Sequence, residues 1–274
     1  MERLHMRKCP ICNSVGKEIF TGKILKKYDV KYYQCPECAL VYTESPYWLS
    51  EAYSDAISRY DTGVMQRNVM DVLLVNMLLE LCFKVGGGVF LDYGGGYGIF
   101  TRMMRDIGYN WLWYDKYSSN LVVRGYEYSY HVESGKAKKI DLITAFELFE
   151  HLDEPLKELE HLLSISKTIF FSTELYDEKF EYKKQNDWWY YSMDTGQHIS
   201  FYSQVTLEYL AEKNGIHYYK ISNGLHLFTD QKISEWKLKL LTNPKFEFMQ
   251  YYYYKKNRKN GLAFADMNAL YDRE

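Results

Sequence analysis

The chain has 274 residues, of which 47% are hydrophobic and 26% are charged, a composition typical of folded globular proteins and not of disordered chains. Lys and Arg total 34 against 36 Asp and Glu, so the formal charge is −2, without the basic excess that most nucleic-acid-binding proteins carry. No apolar run approaches the roughly 20 residues needed to cross a bilayer. The residues before Cys9 contain no apolar signal segment, so we expect a cytoplasmic protein without a membrane partner.

Two Cys-x-x-Cys pairs stand near the start of the chain, at Cys9 and Cys12 and at Cys35 and Cys38. Each pair directs two thiolates to a common point, and two pairs supply the tetrahedral ligand set that Zn²⁺ takes in structural sites. A four-thiolate iron centre has similar ligands, whereas disulfides are not expected without a secretory signal. We predict a structural zinc ion that folds a small module over residues 1–45.

A helical connector is predicted over residues 46–85, because residues 71–81 carry the apolar stripe of a core-facing helix. Residues 86–230 then alternate strands with helices. The predicted strands are residues 89–92, 111–115, 140–146 and 168–172, with helices beginning at Ile99 and near Pro155. This alternation predicts an α/β fold with a Rossmann-like, doubly wound parallel sheet. Residues 231–274 are predicted to form a C-terminal helical extension.

A glycine-rich turn, Asp92-Tyr93-Gly94-Gly95-Gly96-Tyr97-Gly98, follows the first of these strands. Such glycines permit a tight turn and let a ligand approach bare backbone. Asp115 closes the next strand about twenty residues later, where the ribose hydroxyls of a nucleoside would lie. The GxGxG spacing differs from the GxGxxG dinucleotide fingerprint. The turn therefore favours a nucleoside without a pyrophosphate over NAD.

These motifs resemble those of the class I S-adenosylmethionine-dependent methyltransferases. Residues 91–98 resemble the first motif of that family, and Ile143-Thr144-Ala145-Phe146-Glu147-Leu148-Phe149-Glu150-His151-Leu152 resembles the fourth-strand segment of its small-molecule branch. Together with the cysteine pairs, the chain is similar to a bacterial subgroup in which a zinc ribbon precedes the methyltransferase core. Sugar C-methyltransferases that act on nucleotide-linked keto-sugars belong to that subgroup.

The resemblance implies S-adenosylmethionine as the cofactor and assigns residues to it. Gly94 and Gly96 would lie against its methionyl part, and Asp115 would bind its ribose hydroxyls. Phe146 and Glu147 would line the cofactor cleft. The complete set of expected cofactor-binding residues is Asp92, Tyr93, Gly94, Gly96, Asp115, Phe146 and Glu147.

Three residues are candidates for catalysis: His198, His151 and Glu150. In sugar methyltransferases of similar layout a histidine after the fifth strand acts as the base, and His198 matches that segment; it could equally form only a loop hydrogen bond. Glu147 and Glu150 would share one face of a helical turn with His151 nearby. Related O-methyltransferases bind a divalent metal at such a segment, although here it could merely orient the cofactor loop or cap a helix.

The expected function is S-adenosylmethionine-dependent methyl transfer to carbon or oxygen of a small polar acceptor, such as a nucleotide-sugar or a surface-glycan precursor. One alternative is an RNA methyltransferase that holds nucleic acid with its zinc module, which the charge balance disfavours. Another is a non-catalytic scaffold with a methyltransferase fold, which the intact glycines and Asp115 disfavour. The aromatic run Trp188-Trp189-Tyr190-Tyr191 is compatible with a substrate lid and with a packed edge.

Overall fold

The computed structural model describes residues 7–53, 61–83, 87–133, 135, 139–179 and 184–271. Its strands are β1 Lys17–Ile24, β2 Tyr28–Gln34, β3 Val41–Thr43, β4 Val89–Tyr93, β5 Asn110–Tyr114, β6 Leu142–Ala145, β7 Thr168–Ser172, β8 Ser200–Phe201, β9 His217–Lys220 and β10 Leu225–Thr229. Its α-helices are α1 Leu49–Ala52, α2 Val64–Leu78, α3 Ile99–Asp106, α4 Tyr128–Glu133, α5 Pro155–Ile165, α6 Gln204–Lys213, α7 Glu235–Thr242, α8 Glu247–Asn257 and α9 Ala263–Tyr271.

A six-stranded sheet in the order β5-β4-β6-β7-β10-β9 confirms the predicted α/β class. Strand β4 pairs in parallel with β5 and β6. Strand β10, however, pairs antiparallel with β9, so the sheet, which the alternation of strands and helices predicts to be parallel, is mixed at this end. The physical reason is the short connection over residues 221–224, since strands joined by so few residues can only run antiparallel.

The chain divides into two compact units, and the first consists of Met1–Ser58, Glu147–Ser164 and Phe171–Asp230. It contains a four-stranded antiparallel sheet in the order β1-β2-β3-β8. Its core is largely aromatic. The buried core residues are Phe20, Ile24, Val30, Tyr32, Val41, Trp48, Ala52, Tyr176, Tyr190, Tyr191, Ile199 and Phe201.

The second unit consists of Arg59–Phe146, Ile165–Phe170 and Gln231–Glu274. Helix α2 packs against α3 and α8 in this unit. The buried Asn257 amide on α8 donates hydrogen bonds to Asn76 Oδ1 (2.8 Å) and to Glu80 Oε1 (2.9 Å). On α9, Asp266 accepts two hydrogen bonds of 2.7 and 2.6 Å from the buried Arg105 guanidinium. These polar contacts fix the C-terminal helices in the second unit.

Among the described residues, no helix combines the length and the apolar composition that crossing a bilayer requires.

Candidate active site and metal centre

The four cysteines of the two Cys-x-x-Cys pairs form one cluster, with all Sγ atoms within 4.8 Å of one another. Cys9 Sγ lies 3.5 Å from Cys38 Sγ, and Cys12 Sγ lies 3.3 Å from Cys35 Sγ. The backbone N–H groups of Ile11 and Cys38 point at the sulfurs of Cys9 and Cys35 respectively. Four sulfur atoms around a common point fit a structural Zn²⁺ ion, which Cys9, Cys12, Cys35 and Cys38 would hold.

The glycine-rich turn joins β4 to α3 in the second unit. Gly94, Gly96 and Gly98 all have positive φ, at 76°, 52° and 87°, which explains the choice of glycine at these three positions. Gly95 is required for another reason, because a Cβ there would lie 2.6 Å from Asp92 Oδ2 and 2.8 Å from Trp113 Cδ1. At its glycine positions the turn therefore presents backbone rather than side chains.

Asp92, at the end of β4, is a buried carboxyl group with a hydrogen-bond donor for each oxygen. Thr144 Oγ1 donates to its Oδ1 and Thr101 Oγ1 donates to its Oδ2, both at 2.9 Å. Burial raises the pKa of Asp92 to about 7, and the charge of Asp115 acts in the same direction, while the two threonine hydroxyls oppose the shift. Asp92 thus stabilises the turn from inside, with its hydrogen-bonding capacity directed at its own unit.

Asp115 lies just after β5, is half-buried, and holds the glycine turn by its backbone. Its Oδ2 accepts a hydrogen bond of 2.9 Å from Gly96 N–H. Its Oδ1 accepts from the N–H groups of Tyr117 (2.7 Å) and Ser118 (2.6 Å). Because Oδ2 has one donor among the described residues, it keeps the capacity to accept a ligand hydroxyl. The residues of this turn fit a nucleoside with its ribose at Asp115.

The segment after β6 departs from the predicted helix. Only Phe149–His151 form a single 3₁₀ turn, and Glu147 precedes it in a left-handed conformation with φ 50°. Glu147 Oε1 accepts a hydrogen bond of 2.8 Å from Ser172 Oγ, which in turn accepts one of 2.7 Å from Glu147 N–H. The expectation that Glu147 and Glu150 share one helical face is therefore wrong, because the chain turns too sharply at Glu147 for a helix to start.

Two other expected cofactor contacts, Tyr93 and Phe146, are half-buried aromatic residues of the second unit. The ring of Tyr93 packs on that of Tyr114, with centroids 4.7 Å apart. The ring of Phe146 meets Phe100 edge-on at 5.1 Å and Phe170 at 5.9 Å. Both side chains are therefore supported by neighbouring rings beside the ends of β4 and β6.

The three catalytic candidates come together in the first unit. One ligand atom each from Glu150, His151 and His198 lies within 4.8 Å of the other two. The two imidazole rings meet edge to face with centroids 5.0 Å apart. Tyr190 hydroxyl donates to Glu150 Oε1 at 2.6 Å. Glu150 is fully buried, and its Oε2 has no hydrogen-bond partner among the described residues.

Backbone contacts bring His198 to the Glu150–His151 turn, although 46 residues separate the two segments. Ile199 N–H, just before β8, donates to the Glu150 carbonyl at 2.8 Å. Gln197 Nε2 donates to the Ala52 carbonyl at 2.8 Å. Gly196, two residues before His198, has a φ of 66°, and a Cβ at this glycine would lie 2.5 Å from Ile24 Cγ2. The position of His198 therefore depends on a glycine that permits both the turn and the close packing.

Burial sets the protonation of this cluster. It lowers the pKa of His198 to about 3, with the neighbouring His151 acting in the same direction. It also lowers the pKa of His151, which the hydrogen bond to the Gln197 carbonyl opposes. Burial raises the pKa of Glu150 to about 8; the charge of Glu147 adds to this, and the hydroxyls of Tyr190 and Thr173 oppose it. Both imidazoles are therefore neutral near pH 7.

Several supporting residues were not predicted from the sequence. Thr101 and Thr144 satisfy the Asp92 carboxyl group, and Tyr190 holds that of Glu150. A threonine within the apolar strand Leu142–Ala145 is a signal that could have indicated Thr144, since a buried hydroxyl needs a polar partner. The aromatic run is divided: Tyr190 and Tyr191 are buried in the core, whereas Trp189 is 77% exposed.

A comparison with solved structures finds methyltransferases similar to this chain, at low sequence identity and with TM-scores below 0.5. Magnesium protoporphyrin IX methyltransferase from Synechocystis PCC 6803 with bound SAH is 12% identical at a TM-score of 0.42, over 66% of this chain and 90% of that one. The plantazolicin methyltransferase BpumL in complex with SAH is 13% identical at a TM-score of 0.46, over 76% and 86%. CalO1, a methyltransferase in calicheamicin biosynthesis, is 15% identical at 0.43, over 68% and 60%.

No curated protein sequence matches the chain significantly. A sequence model of the methyltransferase domain family, in contrast, matches residues 65–220, which is more than half of the chain. The matched range includes the glycine turn, Asp115 and the catalytic candidates. The chain therefore belongs to the methyltransferase domain family and is an S-adenosylmethionine-dependent methyltransferase.

Proposed function

We propose that the enzyme transfers a methyl group to carbon or oxygen of a small polar acceptor, a nucleotide-sugar or a surface-glycan precursor. The observation that carries this proposal is the cluster of Glu150, His151 and His198, whose ligand atoms converge within 4.8 Å. All three present lone pairs at a partly accessible, otherwise buried position, which suits one hydroxyl or enol group of an acceptor better than an extended polymer.

The chemistry is an in-line displacement in which the acceptor attacks the methyl carbon. When bound, S-adenosylmethionine would supply the methyl group, keep the electron pair of the broken carbon–sulfur bond on sulfur and leave as S-adenosylhomocysteine. The enzyme has to position the acceptor and remove its proton. We assign the cofactor side to the glycine turn and Asp115, and acceptor orientation and proton removal to His198, His151 and Glu150. The residues assigned to cofactor and acceptor are close in sequence, since only three residues separate Phe146, an expected cofactor contact, from Glu150.

The surface charges of the zinc module support a small acceptor over RNA. Four lysines of the zinc module are each paired with a carboxylate. The pairs are Lys23–Asp29 at 2.9 Å, Lys26–Asp194 at 3.6 Å, Lys27–Glu51 at 2.7 Å and Lys31–Glu18 at 3.2 Å. Phosphate binding would have to compete with these ion pairs, which weakens the electrostatic term that supplies most non-specific RNA affinity.

Two measurements test the proposal. Calorimetric titration with S-adenosylmethionine and S-adenosylhomocysteine, with NAD as the control, is expected to show micromolar binding of the adenosyl ligands alone. Methyl transfer from labelled cofactor is then assayed on nucleotide-linked keto-sugars, nucleotide-linked hydroxy-sugars and structured RNA. Labelling of a sugar supports the proposal. Salt-dependent labelling of RNA, with none of the sugars, would overturn the acceptor class.

The role of His198 is tested separately with His198→Asn and, as a matched control, His161→Asn on the exposed face of α5. His198→Asn is expected to abolish turnover and to leave cofactor affinity within about twofold, while His161→Asn keeps full turnover. Near-normal turnover of His198→Asn would remove this side chain from the reaction.

A further inference from the structure

The hydrogen bonds of the Glu150–His151–His198 cluster fix which atoms of the imidazoles are free. His151 Nδ1 lies 2.9 Å from the Gln197 carbonyl oxygen, and His198 Nδ1 lies 2.8 Å from the Tyr190 carbonyl oxygen. A carbonyl can only accept, so each Nδ1 must carry the hydrogen and each Nε2 of the neutral rings must present a lone pair. No donor to either Nε2 is found in the described part of the chain.

The carboxyl group of Glu150 likewise has one atom with a hydrogen-bond partner and one without among the described residues. Its Oε1 is occupied by the Tyr190 hydroxyl at 2.6 Å, while its Oε2 is buried and unpartnered among the described residues. The Thr173 hydroxyl is near enough to stabilise the Glu150 carboxylate, but Thr173 Oγ1 and Glu150 Oε2 each lack a partner in hydrogen-bond geometry among the described residues. Glu150, His151 and His198 thus each offer one ligand atom within 4.8 Å of the other two, and a proton on Glu150 would join only two of the three residues. A buried group of acceptors of this kind suits a bound cation.

We propose that Glu150, His151 and His198 bind one divalent first-row transition-metal ion, such as Zn²⁺, Mn²⁺ or Fe²⁺. Two imidazoles and one carboxylate suit these ions, whereas Mg²⁺ prefers oxygen ligands only. The three ligand atoms lie within 4.8 Å of one another, close to the separation of at most about 4.2 Å between ligands that are each about 2.1 Å from one ion.

The surroundings have the features of an outer ligand shell. Metal-bound histidines generally donate their other ring N–H to a carbonyl or carboxylate, as both imidazoles do here, and the ligating carboxylate is itself hydrogen-bonded, here by Tyr190. Three protein ligands leave coordination positions free, in contrast to the closed set of four cysteines. Resting on the proposed function, we assign one free position to an acceptor oxygen, whose acidity the ion would increase.

The ligand set differs from the one that the sequence suggested, because Glu147 is not part of it. Its Oε1 is held by Ser172 at 2.8 Å, and its backbone conformation separates it from the 3₁₀ turn. The third ligand, His198, comes instead from the loop before β8. The metal centre is therefore a product of the contact between that loop and the Glu150–His151 turn.

The test uses the full-length protein with its four-cysteine site filled with zinc, titrated with Co²⁺ as the probe. Wild type is expected to bind one further equivalent, with visible d–d absorption and without a thiolate charge-transfer band. Glu150→Gln and His198→Gln should each weaken this binding at least about tenfold, as should Tyr190→Phe through the outer shell. His161→Gln, on α5, is the matched control and should bind like wild type.

Circular dichroism and the retained equivalent of zinc establish that each variant is folded. Folded wild type that binds no second ion, or variants that bind Co²⁺ as wild type does, would overturn the inference. Competition by Mg²⁺ at equal concentration would overturn the metal class. Because the readout is binding, Co²⁺ uptake without sugar methylation would contradict only the proposed function, and sugar methylation without Co²⁺ uptake would contradict only this inference.

Discussion

Two clusters of potential metal ligands in the first unit differ in how the chain builds them. The four cysteines come from two local turns, each with its ligands three positions apart, and the sulfurs surround a common point. The second cluster takes Glu150 and His151 from one turn and His198 from a loop held by the backbone of β8. The four cysteines form a complete set of sulfur ligands, whereas Glu150, His151 and His198 form an incomplete set of nitrogen and oxygen ligands. A complete ligand set favours a structural role, and free coordination positions favour a catalytic one.

The buried carboxyl of Asp92 in the second unit sharpens this contrast. Each of its oxygens has a threonine donor, whereas Glu150 has a donor for one oxygen only. Both groups are buried, so burial alone does not distinguish a structural carboxyl from a functional one. What distinguishes the two carboxyl groups is the number of their oxygens that lack a hydrogen-bond donor.

The largest expected effect is that of Cys35→Ser, which removes one ligand from the four-cysteine cluster. One thiolate is lost, so the protein should lose one equivalent of zinc, and the β1–β3 hairpin region should become protease-sensitive because the metal supplies much of its folding free energy. Metal analysis and limited proteolysis measure this. Cys82→Ser, which changes a thiol outside both clusters, should behave as wild type. Retention of full zinc by Cys35→Ser would exclude the four-cysteine site.

The second prediction concerns the cluster of Glu150, His151 and His198, which Glu150→Gln alters. The amide can still accept the Tyr190 hydrogen bond but can neither ionise nor exchange a proton, so we expect at least about a 100-fold fall in kcat with unchanged S-adenosylmethionine affinity. Thermal stability should match wild type at pH 7, where the raised pKa keeps Glu150 protonated, and exceed it above pH 8, where wild type buries a charge. Glu160→Gln, on the exposed side of α5, is the control. Unchanged kcat in a folded Glu150→Gln variant would remove the cluster from catalysis.

Asp92, whose two oxygens both have a hydrogen-bond donor, should affect the pH dependence of stability rather than activity. The pKa of Asp92 is raised to about 7 by burial, so its contribution to stability is present at low pH and is lost as the pH rises through 7. Between pH 5 and pH 8, wild type should lose about 3 kcal/mol relative to Asp92→Asn. Denaturant unfolding at both pH values measures the difference. Parallel stability profiles of the two proteins would contradict a raised pKa.

The smallest effect tests the loop that delivers His198. Gly196→Ala and Gly215→Ala both place a Cβ at a positive φ, of 66° and 64°. Only the first has a close neighbour, Ile24 Cγ2 at 2.5 Å, while nothing lies within 4 Å of the second. Gly196→Ala should therefore cost about 2 kcal/mol more than Gly215→Ala and also weaken Co²⁺ binding. Equal unfolding free energies would mean that the loop adjusts without strain.

Much of the fold was predictable because its signals are local. Strands β4, β5, β6 and β7 lie within one or two residues of the predicted ranges, since buried parallel strands are continuous apolar runs. The cysteine pairs and the glycine turn are likewise short motifs. Strand β9 was not predicted, because its sequence His217–Lys220 is polar at the ends and half-buried, without an apolar run.

The sequence by itself determined the α/β class, the four-cysteine ligand set and the position of the glycine turn, because each depends on residues close together in the chain. Tertiary structure alone decided that Glu147 leaves the ligand set and that His198 joins it. That outcome depends on several hydrogen bonds between the two segments, among them the one from Ile199 N–H to the Glu150 carbonyl, and on a glycine packed against Ile24. Contacts between distant segments of this kind leave no periodic or spacing signal in the sequence.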